Sequence, residues 1–350
     1  MKKNRVLCFI LALVLSINTF PVNSAEAAFR TMRIEWLNVG AGDSMYIALP
    51  NGKNVLIDGG TTSKGSTVVK YLKSKKVTTI DYMISTHPDA DHVGGLQQVF
   101  KSLKVKNFYY PSDVAYTTNT AKSVITLAKK EQSKIVKPKR GNAISGGNGC
   151  VLRFVHDNKN YKSDNEDSLA VYIDYGNLEV LVCGDNEKGS QETIEKHNVD
   201  ILQLPHHGSK YATSANFIKR FDPEYVVVST DGKRYGHPNV ETFKRCYAYD
   251  KNMKVYRTDK NGIIKLSATK TRWSISNKYA SVGAYTSSQS IVKPAATKAP
   301  VSGASVYTTK TGSKYHADKN CRGLNNAKSI FTKKKTDAVN LGLTPCSYCY

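Results

Sequence analysis

The sequence is short of acidic residues, because 28 Asp+Glu stand against 51 Lys+Arg, and its formal net charge is +23. A surface this basic favours a polyanionic partner such as nucleic acid, an anionic cell-wall polymer or an anionic membrane face. The same charge is typical of proteins secreted onto a polyanionic cell wall, with no direct role in binding. Charge alone therefore leaves both interpretations open.

Long apolar runs are absent after residue 27, where no stretch approaches the roughly 18 residues of a membrane-spanning helix. Met1–Ala27 has a basic start, an apolar segment at Val6–Phe20 and a small-x-small cleavage site at residues 25–27, the pattern of a secretory signal peptide. Cys8 lies early in the apolar segment, which argues against a lipoprotein anchor. We expect a secreted protein, extracellular or associated with the cell wall, without a transmembrane span in the mature chain.

Clustered cysteines are absent from most of the chain. Cys150, Cys183 and Cys246 lie far apart in the sequence, so we expect buried apolar thiols there. No internal repeat is visible, and nothing in the sequence indicates an oligomeric state. A chain of 350 residues can hold one large domain and one small one.

The sequence does contain a dense group of metal-ligating residue types just after the apolar run Ile80–Ser85. The group is His87, Asp89, Asp91 and His92, followed by two glycines. Alternation places three of the side chains on one side of an extended loop, and the tightening loop turns the fourth inward. Imidazole and carboxylate together suit zinc, manganese or iron. The alternative is a polar helix-capping loop, but such a loop does not need four ligand-type residues.

The segment HPDADHVGG, residues 87–95, resembles the metal-binding signature of the metallo-β-lactamase fold, usually HxHxDH, with Asp89 at the second histidine position. The HxDxDH form is similar to the nuclease-type domain of ComEC-like DNA-uptake proteins. The resemblance covers roughly residues 32–276. It implies an α/β (α+β) fold, a four-layer αββα sandwich over residues 28–281, with the ligands on loops at one edge.

Other segments carry the same resemblance. The GDS at residues 42–44 is similar to the end of the family's opening VGxGDS segment, and Asp58 matches an aspartate that orients a ligand behind the metals. Asn165 and Ser168 match an N-x-x-S-L pattern of ComEC-like domains, where other members place a metal-binding histidine. The resemblance implies that these two residues order the loop near the metals.

The second half of the chain supplies the remaining implied ligands. Asp185, in a Gly-Asp pair after a strand, matches an aspartate that bridges two metals, which stand about 3.5–4 Å apart in such hydrolases. The PHHGS at residues 205–209 closely matches a family motif, and one of its histidines is implied as the last ligand. We favour His206, nearest the strand end, over His207, which would then support the site or contact the substrate.

The YGHP at residues 235–238 is similar to a family segment written S…YGHP. In this chain His237 would bind a substrate phosphate or protonate the leaving oxygen, and a helix-capping turn is the alternative. The candidates for contact with the substrate are Lys210, Ser229, Tyr235 and His237.

The resemblance implies two divalent ions, manganese or zinc, with magnesium as a further option. One ion would be held by His87 and Asp89 and the other by Asp91, His92 and one of His206 and His207, with Asp185 between them. The candidate catalytic residues are Asp91, Asp185 and His237. The expected enzyme is a metal-dependent phosphodiesterase, above all a DNase, in which a hydroxide held between the metals attacks phosphorus in line.

Three other functions remain open. A cell-wall polymer such as phosphorylcholine-bearing teichoic acid also contains phosphodiesters. A β-lactamase or lactonase would share the site, although those enzymes fit HxHxDH better and gain little from the basic charge. A non-catalytic binder of nucleic acid or wall polymer would not need so many metal-ligating residues.

Local patterns predict paired strands at residues 32–39 and 44–49, helices at 65–75 and 239–249, and an edge strand at 272–276. The glycine-rich segment 141–149 predicts a loop. Residues 255–258 and 262–266 predict a hairpin that closes the domain, with Asp259 in its turn.

The C-terminal part differs in composition. Residues 282–305 are rich in Ser, Ala, Thr, Pro and Lys and predict a flexible linker. In residues 306–350, Cys346 and Cys349 form a CxxC after a proline, and Cys321 and His316 can complete a tetrahedral zinc site. A unit of about 45 residues is too small to fold by burial alone. It resembles the Ada-like zinc-binding module, with His316 in place of a fourth cysteine. A disulfide with one further thiol is the alternative.

Overall fold

The computed structural model describes residues 31–157, 159–161 and 163–279, and in the tail 305–349 apart from 310–311, 325–326, 328, 335–337, 339–342 and 347–348. The predicted signal peptide, residues 1–27, and nearly all of the predicted linker, residues 282–305, lie outside the described residues. No helix of the described part has the length and apolar character that crossing a bilayer requires.

Two large sheets form the main domain. Its strands are β1 (Met32–Trp36), β2 (Met45–Ala48), β3 (Asn54–Ile57), β4 (Thr79–Ile84), β5 (Lys104–Tyr109), β6 (Lys134–Val136), β7 (Ala143–Gly147), β8 (Cys150–Phe154), β9 (Val171–Tyr175), β10 (Leu178–Val182), β11 (Ile201–Gln203), β12 (Tyr225–Val228), β13 (Lys254–Arg257), β14 (Ile264–Ala268) and β15 (Trp273–Ile275). In the described residues, the first sheet has the order β15-β14-β1-β2-β3-β4-β5-β6 and the second β13-β12-β11-β10-β9-β8-β7.

The two sheets pack face to face because successive strand residues point to opposite faces. In β3, Val55 and Ile57 belong to the apolar cluster shared with the second sheet, whereas Leu56 belongs to the cluster under the helices. In β12, Val227 faces the first sheet and Val226 faces the other helical layer. Strands buried on both faces therefore account for the near-continuous apolar runs in the sequence.

Helices cover both outer faces, which gives the predicted four-layer αββα sandwich. Those described in the domain are Gly65–Ser74, Ala90–Val93, Leu96–Ser102, Asn119–Lys130, Lys188–Gln191, Ala215–Phe221, Val240–Tyr249 and Thr258–Asn261, with 3₁₀ turns at Thr62–Lys64, His206–Gly208 and Arg234–Gly236. Ser214 caps one helix by accepting from the Phe217 amide, and Thr118 caps another by accepting from the Ala121 amide. The mixed α/β fold is as expected.

The strands set the position of the site. Parallel pairing joins β3 to β4 and β10 to β11 and β12, so their carboxyl ends meet at one edge of the sandwich. Asp58 follows β3 and His87 follows β4, while Asp185 and His206 follow β10 and β11. These four segments of the main domain, each singled out by its ligand-type residues, thus lead to the same edge.

Glycines let two of these loops touch. The Gly95 amide donates to the Gly60 carbonyl at 2.9 Å, and the Gly59 amide donates to the His92 carbonyl at 2.8 Å. A Cβ on Gly95 would collide with the Gly59 carbonyl, and one on Gly59 would lie 2.6 Å from the Leu96 amide nitrogen. The loop that carries Asp58 can therefore lie against the loop that carries His92 only because both lack side chains here.

Two local predictions were wrong. Residues 143–147 form β7, which pairs with β8, because Asn148 and Gly149 adopt φ of 50° and 82° and make a two-residue hairpin turn. The predicted terminal hairpin does not form, since β13 pairs with β12 in the second sheet and β14 pairs with β1 in the first. Asp259 instead lies in the short helix that connects β13 to β14, and its carboxylate forms an ion pair with Arg257 at 2.8 Å.

The tail forms a separate small sheet. Its strands are β16 (Ser305–Thr308), β17 (Lys314–His316), β18 (Phe331–Lys334) and β19 (Thr344–Pro345), in the order β18-β16-β17-β19, with a 3₁₀ turn at Arg322–Leu324. Its described core is small, with Val306, Tyr315 and Ala338 in one cluster.

In the main domain, the predicted edge strand β15 and the predicted pairing of β1 with β2 are both present.

We expect Gly95→Ala to lower the free energy of unfolding by about 1–3 kcal/mol, because the new methyl group overpacks the contact with Gly59. Gly141→Ala is the matched control. Gly141 has a φ of 89° but no neighbouring atom within 4 Å of an added Cβ, so only the backbone cost of roughly 1 kcal/mol applies. Urea titration of both variants measures the difference, and equal losses would contradict the steric explanation.

Candidate metal centre

Asp185 lies at the centre of the site. It follows β10 after Gly184, whose φ of 53° turns the chain sharply, and its side chain is almost fully buried. The Asp185 amide donates to the Ser168 hydroxyl at 3.1 Å, and the Ser168 carbonyl accepts from the Asn186 side chain at 2.8 Å. Asn165 contributes its carbonyl to the Ser168 amide at 3.0 Å. The N-x-x-S segment thus fixes the main chain beside Asp185.

Four histidine rings surround the Asp185 carboxylate. His92 Nε2 lies 3.2 Å from Oδ1. The Nε2 atoms of His87, His206 and His207 each lie 3.7 Å from Oδ2. All four rings therefore present the same nitrogen to one buried carboxylate.

The opposite nitrogen of the two later histidines faces an acceptor. His206 Nδ1 lies 2.8 Å from Glu187 Oε1, and His207 Nδ1 lies 3.1 Å from the Ser229 carbonyl oxygen. A carbonyl oxygen only accepts, so Nδ1 of His207 carries the proton and the lone pair of its neutral ring is on Nε2. The Glu187 carboxylate orients the His206 ring in the same way, with Nε2 toward Asp185. Ser229, predicted to contact the substrate, is buried and serves here through its backbone.

Asp58 orients the two earlier histidine rings, His92 directly and His87 through the Thr86 hydroxyl. Its carboxylate accepts from the Thr86 amide at 2.8 Å, from the Thr86 hydroxyl at 2.7 Å and from His92 Nδ1 at 2.9 Å. With its hydrogen donated to Asp58, the Thr86 hydroxyl is left to accept from His87 Nδ1 at 3.1 Å. Asp58 has a φ of 56°, an uncommon conformation for a residue other than glycine. The backbone is thus held in an uncommon conformation where the site requires it.

Asp43 was not among the ligands inferred from the sequence. Its Oδ1 lies 3.5 Å from His207 Nδ1, and its Oδ2 accepts from the Gln203 side chain at 2.7 Å. Gln203 in turn accepts from the Trp36 indole at 2.8 Å. Asp43, His92, Asp185 and His207 offer ligand atoms that all lie within 4.8 Å of one another. An aspartate directly before a strand, and a glutamine inside a buried apolar strand, were the available signals.

The donor atoms fit divalent ions. The Nε2 atoms of His87, His92 and His207 and Oδ1 of Asp185 are buried without a hydrogen-bond partner among the described residues. Two ligands of one ion, each about 2.0–2.2 Å from it, stand roughly 3–4 Å apart. The observed spacing of 3.2–3.7 Å around Asp185 agrees. Imidazole nitrogens and carboxylates are ligands for zinc and manganese.

Electrostatics support the same conclusion. Burial lowers the pKa of His87, and the neighbouring His92 lowers it further, to about 3. Burial also disfavours the charged forms of His92 and His207, but nearby carboxylates, Asp185 above all, outweigh it and raise the pKa of His92 well above its usual value and that of His207 to about 9. The carboxylates thus attract positive charge, and an ion would take the place of the protons on these rings.

Asp89 and Asp91 line the open side of the centre. Asp89 Oδ2 lies 3.8 Å from His87 Nε2, and Asp91 Oδ2 lies 3.7 Å from His207 Nε2. Asp89 occupies the N-cap position of the helix Ala90–Val93, but its side chain makes no capping hydrogen bond. The helix-capping explanation for this aspartate therefore does not apply, and its carboxylate is available to a metal.

Both histidines of the PHHGS segment reach the centre. His207 is buried and belongs to the compact group around Asp185, whereas His206 is partly exposed and reaches Asp185 from the rim. Both have a left-handed backbone, with φ of 49° and 52°. The proximity of two rings to one carboxylate leaves the preference for His206 as ligand a prediction.

The remaining predicted residues lie at the rim. The centre of the His237 ring lies 5.3 Å from that of the His206 ring, and the centre of the Tyr235 ring lies 6.3 Å from that of the His237 ring. Burial lowers the pKa of His237, and His206 and His207 lower it further, so the ring is neutral at neutral pH. Lys210 follows the PHHGS segment and is exposed.

The tail brings together the four predicted zinc ligands. His316, Cys321, Cys346 and Cys349 offer ligand atoms within 4.8 Å of one another, and the Cys321 and Cys346 sulfurs lie 3.8 Å apart. The Ala317 amide donates to Cys349 Sγ at 3.2 Å. Hydrogen bonds from the other two thiols lower the pKa of Cys349, which favours a thiolate. One nitrogen and three sulfurs can bind zinc. Cys150, Cys183 and Cys246 are buried thiols, as predicted.

Curated proteins provide three relatives. ComE operon protein 3 of Bacillus subtilis is 28% identical over 268 residues, 70% of this chain and 34% of the relative. Recombination protein 2 of Haemophilus influenzae is 25% identical and competence protein ComA of Neisseria gonorrhoeae is 27% identical, over 63% and 65% of this chain and 27% and 31% of theirs. The chain thus spans about a third of the length of these relatives.

Solved structures are similar at lower levels. CmlA, a diiron beta-hydroxylase from Streptomyces venezuelae, has a TM-score of 0.37 with 14% identity over 57% of this chain and 45% of its own. A diphosphatase from the PhnP family has a TM-score of 0.37 with 16% identity over 57% of this chain and 86% of its own. The model of the metallo-beta-lactamase superfamily matches residues 37–233, more than half of the sequence. The chain therefore belongs to the metallo-β-lactamase superfamily.

Proposed function

We propose that this chain is a secreted, metal-dependent phosphodiesterase that hydrolyses DNA. The observation that carries the proposal is the convergence of four imidazole nitrogens on the buried carboxylate of Asp185, where three of them lack a hydrogen-bond partner among the described residues. Competence and recombination, the processes in the names of the relatives, both concern DNA. The net charge of +23 would attract a polyanionic substrate.

The proposed metal ligands are the residues whose donor atoms face the centre. They are His87 and Asp89 on one side and Asp91, His92 and one or both of His206 and His207 on the other, with Asp185 between them and Asp43 beside them. Divalent ions bound there would lower the pKa of water and neutralise charge on a phosphodiester. We propose two ions, manganese or zinc, with magnesium as a further option.

The chain's own residues prepare this chemistry. Asp58, Glu187 and the Ser229 carbonyl hold the protons of the histidine rings on Nδ1, so that Nε2 stays available without rearrangement. The neutral His237 ring at the rim would hydrogen-bond to a phosphate oxygen. Lys210 would attract the phosphate by charge, since phosphate contacts need no base recognition.

Asp185→Asn should reduce the hydrolysis of bis-p-nitrophenyl phosphate to background, because the charge at the centre of the site is lost while the side-chain shape is kept. Asp58→Asn should reduce it by about 10–100-fold, because that residue orients His92 without touching a metal. Glu131→Gln, on an exposed carboxylate at the end of a helix, is the control and should match the wild type. Near-full activity of Asp185→Asn would show that the site is wrongly placed.

Chelation with EDTA should abolish cleavage of labelled DNA by the mature protein, and added manganese or zinc should restore it. Steady-state cleavage of single- and double-stranded DNA after each addition is the measurement. If no metal restores DNA cleavage but bis-p-nitrophenyl phosphate is still hydrolysed, the DNase proposal fails and a cell-wall phosphodiester becomes the favoured substrate. Hydrolysis of a β-lactam or lactone alone would replace phosphodiesterase with the corresponding hydrolase.

We also propose that the tail holds one structural zinc ion. The supporting observation is the juxtaposition of His316 and the three cysteines, with the buried His316 Nδ1 lacking a hydrogen-bond partner among the described residues. The fold of a unit this small would then depend on the ion. Basic residues such as Lys319 and Lys333 would let the unit contribute to binding a polyanion.

Cys346→Ser should lower the zinc content by about one ion per chain and leave the hydrolysis of bis-p-nitrophenyl phosphate within about twofold of the wild type, because the four ligands belong to the tail alone. Cys150→Ala removes a thiol from the main domain and should retain the zinc. Metal analysis measures the zinc content, and turnover of bis-p-nitrophenyl phosphate measures the activity.

Ending the chain after Ser281 should weaken DNA binding more than it lowers small-diester turnover, and equal losses would make the tail part of the catalytic unit.

A further inference from the structure

Two tyrosines beside the metal centre have unusually exposed rings. Tyr211 is 65% exposed and Tyr235 is 78% exposed, more than any other large apolar side chain in the described residues. A single exposed tyrosine on a protein surface needs no explanation. Here, however, Tyr211 lies four residues after His207, and Tyr235 lies two residues before His237. Both therefore belong to loops that leave the centre itself.

Tyr235 is the outer end of a series of aromatic rings. The His207 and His206 rings lie 6.1 Å apart, His206 and His237 lie 5.3 Å apart, and His237 and Tyr235 lie 6.3 Å apart. The Tyr235 backbone has a φ of 55°, a conformation that is an outlier for a bulky residue. Burial of the ring does not compensate for this strain, since the ring lies in solvent.

The loop of Tyr235 is held by side-chain hydrogen bonds and is basic. Asp231 Oδ1 accepts from the amides of Lys233 and Arg234 at 2.9 Å and 2.8 Å, which fixes the turn. The side chains of Lys233 and Arg234 are exposed. The loop therefore presents an aromatic ring and two positive charges to solvent next to His237.

Tyr211 lies in a comparable setting on the PHHGS loop. Lys210 Nζ lies 4.9 Å from the centre of its ring, and the Tyr211 side chain remains largely exposed. Arg245 anchors the loop by donating to the Lys210 carbonyl at 2.8 Å and to the Thr213 carbonyl at 2.6 Å. Beside Tyr211 a cleft of about 550 Å³ is lined by Lys188, Lys210 and Arg245, and by Glu166 and Glu187.

Charge in this cleft favours an anion. The cleft is lined by three cations, Lys188, Lys210 and Arg245, and by two carboxylates, of which Glu187 is hydrogen-bonded to His206 Nδ1 at 2.8 Å. Glu187 lines the cleft and also contacts His206 Nδ1, so the cleft lies beside the metal centre. An anionic chain bound in it would pass next to the ligands.

We propose that Tyr211 and Tyr235 stack on the bases of single-stranded DNA while Lys210, Lys233 and Arg234 contact its phosphates. The proposal rests on the phosphodiesterase function proposed above and narrows its substrate. Bases of a single strand have free faces that stack on exposed aromatic rings, whereas bases in a duplex already stack on one another. We therefore expect a preference for single-stranded DNA or unpaired ends over duplex.

The test is the affinity of the full mature chain for labelled single- and double-stranded DNA of the same sequence, measured by fluorescence anisotropy at fixed salt. Asp185→Asn serves as the background, so that no cleavage occurs. Tyr211→Ala and Tyr235→Ala should each weaken single-strand binding by about 10-fold and duplex binding much less. Tyr211→Phe and Tyr235→Phe should stay within about twofold, because stacking needs the ring and not the hydroxyl.

Thr78→Ala is the control. Thr78 is exposed and directly precedes β4, at the opposite end of that strand from His87. The variant should bind both DNA forms like the background. Alanine variants of Tyr211 and Tyr235 that bind like the background, or phenylalanine variants that bind as weakly as alanine, would overturn the stacking proposal.

Turnover separates this proposal from the one on which it rests. The wild type and the same tyrosine variants are assayed on single-stranded DNA and on bis-p-nitrophenyl phosphate, and the ratio of the two activities should fall in the alanine variants. If the wild type hydrolyses both substrates and the alanine variants keep its ratio, only the stacking proposal fails. If the wild type hydrolyses neither substrate with any metal, the phosphodiesterase function fails.

Discussion

The buried Asp185 carboxylate is the constraint on which the site depends. A charged group taken out of water is costly unless opposite charge or hydrogen bonds compensate for it. Asp185 is nearly inaccessible, yet its Oδ1 has no hydrogen-bond partner among the described residues, and its neighbours are imidazole nitrogens. Burial disfavours its ionised form, but His92, His207 and His87 outweigh that effect and hold the pKa of the carboxyl well below its usual value. The arrangement is electrostatically complete only when positive charge lies among these rings.

The residues behind the rings extend this constraint into the fold. Asp58 is fully satisfied by Thr86 and His92, unlike Asp185, so one buried carboxylate is a fixed support and the other is available to a ligand. Asp43 is held by Gln203, a residue of β11 in the second sheet, although it precedes β2 of the first. The support of the metal centre therefore runs across the interface between the sheets. This explains the presence of polar groups in an otherwise apolar interior.

Local patterns predicted the strands and the group of ligand-type residues at 87–92, whereas the resemblance to the metallo-β-lactamase fold supplied the four layers, Asp58 and Asp185. When apolar strands are parallel, the ligand-type side chains that follow them lie at the same edge of the sheet. Asp43 was missed because an aspartate in a short turn between paired strands looks like a turn residue, and its partner Gln203 is distant in sequence. The hairpin of β13 and β14 was wrongly predicted because adjacency in sequence favours a hairpin, whereas β13 pairs in the second sheet and β14 in the first.

The two sheets contribute ligands from both halves of the chain, with His92 before β5 and Asp185 after β10. An ion bound there would act as a cross-link that closes a loop on the order of a hundred residues, and closing a loop of that length restricts the unfolded chain. The free energy of unfolding would then rise with the free ion concentration, by about 2.7 kcal/mol when that concentration is a hundred times the dissociation constant. In a medium poor in such ions, the same protein would be both inactive and easier to unfold, so metal supply would control its lifetime as well as its activity.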